Sequence, residues 1–311
     1  MKKISIMVPC YNEEENVVPM SEALVKTLDE MEGYDYEILF IDNCSVDNTR
    51  ALIRGICEKN KKIRAIFNSK NFGQFNSPYY GLCQTTGDCT ISVCCDFQDP
   101  LELIPTFVKE WENGYKIVCG VKTSSKESKL MYFLRSVYYK TVKKFSSVDQ
   151  IEHFTGFGLY DKSFIDVLRN LGDPTPFIRG IVAELGSKIK QIEYEQPKRR
   201  SGKTSNNFRS LYDAAMLSFT SYTKIGVRLA TFLGIAMCAV SALLGLVALI
   251  MKIIAPTKFL LTGTAPILLL ILFVGGIQLF FIGFLGEYIM NMNKRIMNRP
   301  LVVEEERINF E

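Results

Sequence analysis

The residues best suited to chemistry in this 311-residue sequence lie at positions 91–100, "ISVCCDFQDP", where two adjacent cysteines precede Asp96, Gln98 and Asp99. Such a group could be a redox pair, half of a zinc site, or an altered carboxylate motif for a metal ion. The nine cysteines form no C-x-x-C and the only histidine is His153, so the clustered Cys and His spacings of a structural zinc are missing. An odd number of cysteines spread through apolar runs reads instead as buried free thiols in a reducing compartment. Two other acidic and amide-rich stretches accompany this one, "PCYNEE" from Pro9 and "DNCSVDNT" from Asp42. Each alone could be turn and cap chemistry, and Asp47 reads as a helix cap. Three together point to a binding edge.

The elements that must position them follow from the apolar pattern. Runs at 4–8, 36–41, 63–67, 89–95 and 115–120 predict buried strands, and amphipathic stretches at 14–31, 47–59, 73–86 and 101–113 predict helices between them. Strand–helix alternation predicts an α/β fold with a mostly parallel sheet and helices on both faces. Ligands of such sheets bind beyond the carboxyl ends of the strands, where all three acidic stretches fall. There is no G-x-G-x-x-G and no P-loop, so phosphates bound here would need a metal ion or Lys and Arg. The net charge of +4 does not imply nucleic acid.

After Arg228 the composition changes. Residues 229–251 and 259–286 contain no charge, and each is long enough to cross about 30 Å of hydrocarbon. The short connection with Pro256 makes the pair a hairpin, and the Lys- and Arg-rich flanks place both of its ends in the cytoplasm. The N-terminal apolar run is too short for a signal peptide. An apolar stripe from Phe208 to Tyr222 suits either an interfacial helix or packing against the soluble part.

The segments "VPCYNEEENV", "FIDNCSVDNT", "SKNFGQFNSPYYGLCQTTGD", "DFQDP" and "GEYI…NRP" resemble, in that order, those of the family 2 glycosyltransferases. More narrowly the chain resembles the polyprenyl-phosphate glycosyltransferases, bacterial relatives of dolichol-phosphate mannose synthase, from about residue 4 to about 302. The resemblance implies a GT-A fold over 1–205 in the cytoplasm, a juxtamembrane helix at 206–226, a transmembrane hairpin at 227–290 and a cytoplasmic tail at 291–311. It implies inverting transfer of a hexose such as glucose from a UDP- or GDP-sugar to undecaprenyl phosphate, at a bacterial cytoplasmic membrane and in a homo-oligomer. Pro9, Tyr11 and Glu13 match the segment that holds base and ribose, and Asp42 the position that meets the base edge. Asp96 and Gln98 match a D-x-D-x-Q site for Mg2+ or Mn2+, whose hard-ligand preference suits them.

Two positions depart from that pattern. Cys94 stands where the first carboxylate belongs, and thiolate is a soft, poor partner for Mg2+. In "TGFGL", Gly156 and Gly158 replace the acid and arginine of G-D-F-R-L. A lipid phosphate is already anionic and needs little general-base help, so charge neutralisation is the larger requirement. Lys122, Arg135, Arg179, Lys198, Arg199, Arg200 and Lys203 are the candidate cations, with Arg199, Gly202 and Thr204 spaced as in the family's R-x-x-G-x-S segment. Asp161 reads as the cap of a helix from Lys162, and His153 as a loop residue. Transfer to another lipid, such as diacylglycerol, and a non-catalytic nucleotide-sugar-binding scaffold are the alternatives. Processive synthesis is disfavoured by the absence of Q-x-x-R-W.

Overall fold

The computed structural model describes residues 1–124, 150–201, 216–217, 225–254, 265–297 and 299–310. Arg135, Lys203, Gly202, Thr204 and all of the 208–222 stripe except Met216 and Leu217 lie outside the described residues.

The five predicted strands form as β1 (Lys2–Cys10), β2 (Tyr34–Asp42), β3 (Ile63–Asn68), β4 (Cys89–Ser92) and β5 (Ile117–Ser124). The helices between them are α1 (Val17–Asp29), α2 (Thr49–Lys59), α3 (Gly73–Gln84) and α4 (Ile104–Glu112), the last preceded by a short 3-10 turn. β4 ends earlier than its apolar run: Val93 N still donates to Met7 O at 3.0 Å, but Cys94 N turns away to Asp99 Oδ2 at 2.9 Å. A side chain from the following loop thus ends the strand.

Beyond the five, β6 (Phe154–Asp161), α5 (Lys162–Leu171), α6 (Ile178–Leu185) and β7 (Ile189–Glu195) complete the domain. The sheet runs β7-β5-β6-β4-β1-β2-β3-β8, where β8 is Glu304–Ile308. β6 is antiparallel to β4 and β5, and β8 is antiparallel to β3. Alternation along the strands builds a core on each face. Ile4, Ile6 and Val8 pack with α1, α2 and α4, whereas Met7, Leu39 and Ile41 pack with α3, α5 and α6. Asp161 caps α5, its carboxylate accepting from Ser163 N at 3.0 Å as well as from Trp111 Nε1 at 2.7 Å.

Two long helices follow, α7 (Ile225–Ile254, 30 residues) and α8 (Ala265–Met297, 33 residues). At 1.5 Å per residue each spans about 45 Å or more, beyond a bilayer's hydrocarbon thickness. Within α8, Phe273–Met297 is apolar enough to cross a membrane, and its most apolar window is wholly unburied.

The tail at 291–311 was expected only to be cytoplasmic; its end returns to the sheet. Ala65 pairs with Ile308, Val302 is buried, and Asn309 Nδ2 donates to Cys57 O and Ile63 O at 2.8 and 2.7 Å. Arg54 and Arg50 pair with Glu306 and Glu305. Removing residues 302–311 is expected to lower unfolding free energy by about 3–5 kcal/mol, from lost apolar burial and two backbone-directed hydrogen bonds. The exposed ion pairs contribute about 0–1 kcal/mol each and matter less. Chemical denaturation of the full and truncated chains in detergent measures this, and the bared β3 edge should also promote aggregation.

Candidate active site

The carboxyl ends of β1, β2 and β4 lie side by side, with Cys10 opposite Asp42 in the β1–β2 register and Met7 opposite Ser92 in β1–β4. Each strand end runs into a loop containing a non-glycine residue with positive φ: Asn12 at 55°, Cys44 at 63° and Phe97 at 59°. Such conformations cost about 1–3 kcal/mol each and persist where surroundings over-determine them. Side chains do so here. Asn12 N donates to Ser45 Oγ at 2.8 Å, Val46 N to Asn12 Oδ1 at 2.9 Å, and Glu13 N to Thr49 Oγ1 at 2.8 Å, lacing the first loop to the second. Asp47, expected as a simple cap, accepts from Thr49 N at 3.0 Å and also from Glu14 N at 3.3 Å.

Asp42 is fully buried, accepts from Ser45 N at 3.1 Å and from Ser45 Oγ, and lies 3.5 Å from Arg50 Nε. Burial holds its carboxyl above the usual range, against Ser45 and Arg50. A base edge reaching Asp42 must therefore share an occupied carboxylate. Pro9 is the last residue but one of β1, and Tyr11, just past the strand's end, is exposed.

Asp96 is the centre of the floor. Its Oδ1 accepts from Gln98 N at 3.1 Å, and Arg199 Nη2 meets its Oδ2 at 2.7 Å. The segment carrying Arg199 lies along this edge: Arg200 N donates to Asp96 O at 3.3 Å, and the Arg200 guanidinium stands 5.2 Å over the Phe97 ring. Ser201 Oγ donates to Asn16 Oδ1 at 2.8 Å, and Asn16 Nδ2 to Glu13 Oε2 at 2.6 Å. Glu13, Asn16, Asp96 and residues 199–201 thus form one connected group. Burial raises the Glu13 carboxyl above its ordinary range, Asn16 and Arg199 opposing. Asn16 and Ser201 carry no sequence signal of their own; only the fold brings them together.

Asp99 has a different task. It is buried, accepts from Cys94 N, and receives Tyr194 OH at 3.3 Å; burial lifts its pKa to about 6. It braces the turn after β4. Cys94, expected among buried thiols, is exposed. Surrounding protein, then the Asp99 and Asp96 charges, push its thiol well above the usual value. Lys122, on β5, contributes positive charge beside Cys94 and Asp99. Arg179 stacks on Phe177 at 4.6 Å, which in turn touches Phe75.

The two glycines of "TGFGL" have structural causes. Gly156 has φ of 108°, and a Cβ on Gly158 would lie 2.5 Å from Val118 O. Elsewhere the buried Glu37, held by Ser5, Lys3, Arg64 and Thr86, lies in the N-terminal half of β2 and is part of the framework.

No three of the described His, Cys, Asp or Glu residues cluster as a ready metal site. The donors suit a hard ion that arrives with a diphosphate: such ions keep waters and take one or two carboxylates, the phosphates supplying the rest. Asp96, with Gln98 beside it, could supply a carboxylate of that kind, and its Oδ2 is already engaged by Arg199.

The sequence matches glycosyl transferase family 2 over residues 5–186. The bactoprenol glucosyl transferase of Shigella phage SfX is 30% identical over 306 residues, 98% of this chain and 99% of that protein. The prophage bactoprenol glucosyl transferase homolog of Escherichia coli (strain K12) is 30% identical over 299 residues, 96% of this chain and 97% of that one. Among solved structures, glucosyl-3-phosphoglycerate synthase from Mycobacterium tuberculosis, in complex with Mn2+, UDP and glucosyl-3-phosphoglycerate, is 17% identical with a TM-score of 0.45, over 75% of this chain and 79% of its own.

Proposed function

The chain belongs to glycosyl transferase family 2, and from that premise we propose that this glycosyltransferase moves glucose from a nucleoside-diphosphate sugar onto a polyprenyl phosphate. The observation that carries the reading is the Asp96–Arg199 pair at the carboxyl end of β4, in a chain that matches bactoprenol glucosyl transferases over nearly all its length.

In the reaction, an oxygen of the lipid phosphate attacks the anomeric carbon as the bond to the nucleotide's β-phosphate oxygen breaks on the opposite face, inverting the configuration. The attacking oxygen is already anionic, so no base need accept a proton. Two phosphate groups must approach each other, and the leaving diphosphate must be stabilised. Arg199 and Arg200 supply fixed positive charge and donors for this, and Lys122 adds a third cation. Glu13 and Asn16 hold the 199–201 segment at the edge where the nucleotide binds, beside Pro9, Tyr11 and Asp42. Asp96 and Gln98 would hold a Mg2+ or Mn2+ ion, whose chemistry is to neutralise the diphosphate as a Lewis acid. Arg135 and Lys203 are further candidate cations for the phosphates.

Three features support a domain map of 1–205, 206–226, 227–290 and 291–311 with the soluble part and both termini in the cytoplasm. α8 is long and apolar enough to cross a membrane, Lys and Arg flank the helical pair, and β8 rejoins the sheet that β1 begins. A chain that leaves and rejoins one sheet crosses a bilayer an even number of times. α7 is then the second crossing.

The test is a panel of UDP- and GDP-sugars crossed with polyprenyl phosphate and diacylglycerol. Glucolipid formed only with the phosphate acceptor supports the reading, and exclusive use of diacylglycerol contradicts it. The departures at Cys94, a soft donor where a carboxylate is expected, and at Gly156 and Gly158 favour a second reading, in which nucleotide-sugar is bound without turnover. Cys94→Asp decides between them. In an active wild type the variant should bind Mn2+ about tenfold (about 1.4 kcal/mol) more tightly in the presence of UDP or GDP, by calorimetry. In a pure binding protein, turnover should appear only in the variant.

A further inference from the structure

β8, which follows the two long helices and closes the sheet beside β3, carries Glu304, Glu305 and Glu306. Two of these meet arginines of α2. Arg54 Nη2 donates to Glu306 at 2.7 Å, with both side chains partly open to solvent. Arg50 Nη2 donates to Glu305 at 2.8 Å, and this pair differs in what stands behind it. The Arg50 side chain is only 19% exposed, its guanidinium lies 5.2 Å from the centre of the Phe67 ring, and its Nε is 3.5 Å from Asp42 Oδ2. That Nε is enclosed and makes no hydrogen bond among the described residues. Arg50 therefore balances the Asp42 charge without taking up either oxygen through a hydrogen bond.

From Asp42 the contacts continue along the edge. Ser45 donates to it through N and Oγ, and the same Oγ accepts from Asn12 N at 2.8 Å. One line of contacts thus runs from Glu305 through Arg50 and Asp42 to Ser45, and ends in the loop that carries Tyr11. Stability does not account for it: a pair such as Glu305 and Arg50, whose carboxylate side chain is 52% exposed, contributes about 0–1 kcal/mol. A buried carboxylate, however, is costly to keep charged without a nearby cation, and Asp42 is wholly buried. The charged and titratable groups acting on it are Arg50 and, less directly, Arg54 from α2, with the Cys10 thiol from β1.

We propose that Arg50 is a positioning residue for the sugar donor: oriented by Glu305 of the C-terminal strand, its guanidinium fixes the Asp42 carboxylate and the Ser45 turn for the nucleotide's base. The proposal rests on the reading that the base binds beside Asp42, and adds the tail to the parts that set donor affinity. Uracil and guanine each offer a ring N–H, which an ionised carboxylate accepts more strongly than a protonated one. Glu305 holds one end of the guanidinium fork while Nε faces Asp42, a two-ended contact that a lysine ammonium cannot reproduce.

The test titrates the full-length protein in detergent, by calorimetry with Mg2+ present, using UDP, GDP and, as a probe without a base, inorganic diphosphate. Arg50→Gln should weaken the nucleotide that the wild type prefers about tenfold (about 1.4 kcal/mol) and leave diphosphate unchanged. Glu305→Gln should weaken it about threefold, and Arg50→Lys should fall between wild type and Arg50→Gln. Because both side chains act through one line, the double variant should bind no more weakly than Arg50→Gln alone. Burial raises the Asp42 carboxyl and Arg50 opposes this, so in Arg50→Gln nucleotide affinity should start to fall at a higher pH than in the wild type as the pH is lowered. In turnover, donor KM should rise with kcat and acceptor KM unchanged. Glu306→Gln, which breaks the neighbouring pair on the same strand, should not change nucleotide affinity. Equal weakening by Glu306→Gln and Glu305→Gln would reduce the strand to packing and overturn the proposal. An unchanged nucleotide affinity in Arg50→Gln, or an equal loss for diphosphate, would overturn it too. A wild type that binds neither nucleotide would overturn the donor edge itself, and the proposal with it.

Discussion

Asp96→Asn is expected to lower kcat/KM for glucose transfer by about 10²–10³-fold, the effect of losing one electrostatic contact at a reacting centre. Asp96 pairs at 2.7 Å with Arg199, itself a candidate for the diphosphate. Asparagine keeps the shape and an oxygen for Gln98 N, so the loop after β4 should survive. It loses the charge that attracts a divalent ion and that fixes Arg199, whose side chain is only 26% exposed. The ion and Arg199, two of the positive charges proposed for the leaving group, are then weakened by one change. Asp99→Asn distinguishes this from general damage. Asp99 braces Cys94 N and receives Tyr194 OH, so its replacement should cost stability more than turnover. Steady-state rates beside melting temperatures for the two variants separate the roles.

Gly158→Arg, which restores the arginine of the related segment, is expected to destabilise the fold by about 3 kcal/mol or more, at or above the usual range for overpacking. The Cβ alone would stand 2.5 Å from Val118 O, and β6 is held between β4 and β5, so neither backbone can yield cheaply. Gly156→Asp is the gentler half of the same restoration. Space is open there, with Ile178 Cγ2 nearest at 3.7 Å, but φ of 108° places a side chain in an unfavourable region, costing about 1–3 kcal/mol. Urea unfolding of each variant measures the difference. The replaced acid and arginine are therefore bound up with the backbone of β6, and neither can be returned by a single exchange without strain.

Much of the framework is readable from periodicity. β1 to β5 follow apolar runs, and α1 to α4 fall inside the amphipathic windows, because buried strands and two-faced helices impose those patterns. β6, β7 and β8 are not readable in the same way. β6 carries two glycines, β7 alternates partly exposed residues, and β8 is "EEERI", an edge strand whose charges suit solvent and Arg54. Only pairing with β3 makes that segment a strand. The site divides similarly. Asp96 announces itself by following a buried run, and Arg199 by the basic, glycine-containing segment. The ring through Asn16 and Ser201, and the burial of Asp42 against Ser45, depend on left-handed turns at Asn12, Cys44 and Phe97 that residue type does not foretell. Cys94 shows the limit of composition. A cysteine beside a buried strand reads as core, whereas the turn set by Asp99 leaves it exposed.

The central claim is that this edge transfers glucose to a lipid phosphate with inversion. Its most direct test incubates the purified full-length protein with UDP-glucose or GDP-glucose, undecaprenyl phosphate and Mg2+ or Mn2+, then analyses the lipid product by mass spectrometry and NMR. The account predicts one added hexose, β-linked to the phosphate, formed by the wild type and nearly absent with Asp96→Asn. No glycolipid with either donor, or an α-linked product, would contradict it.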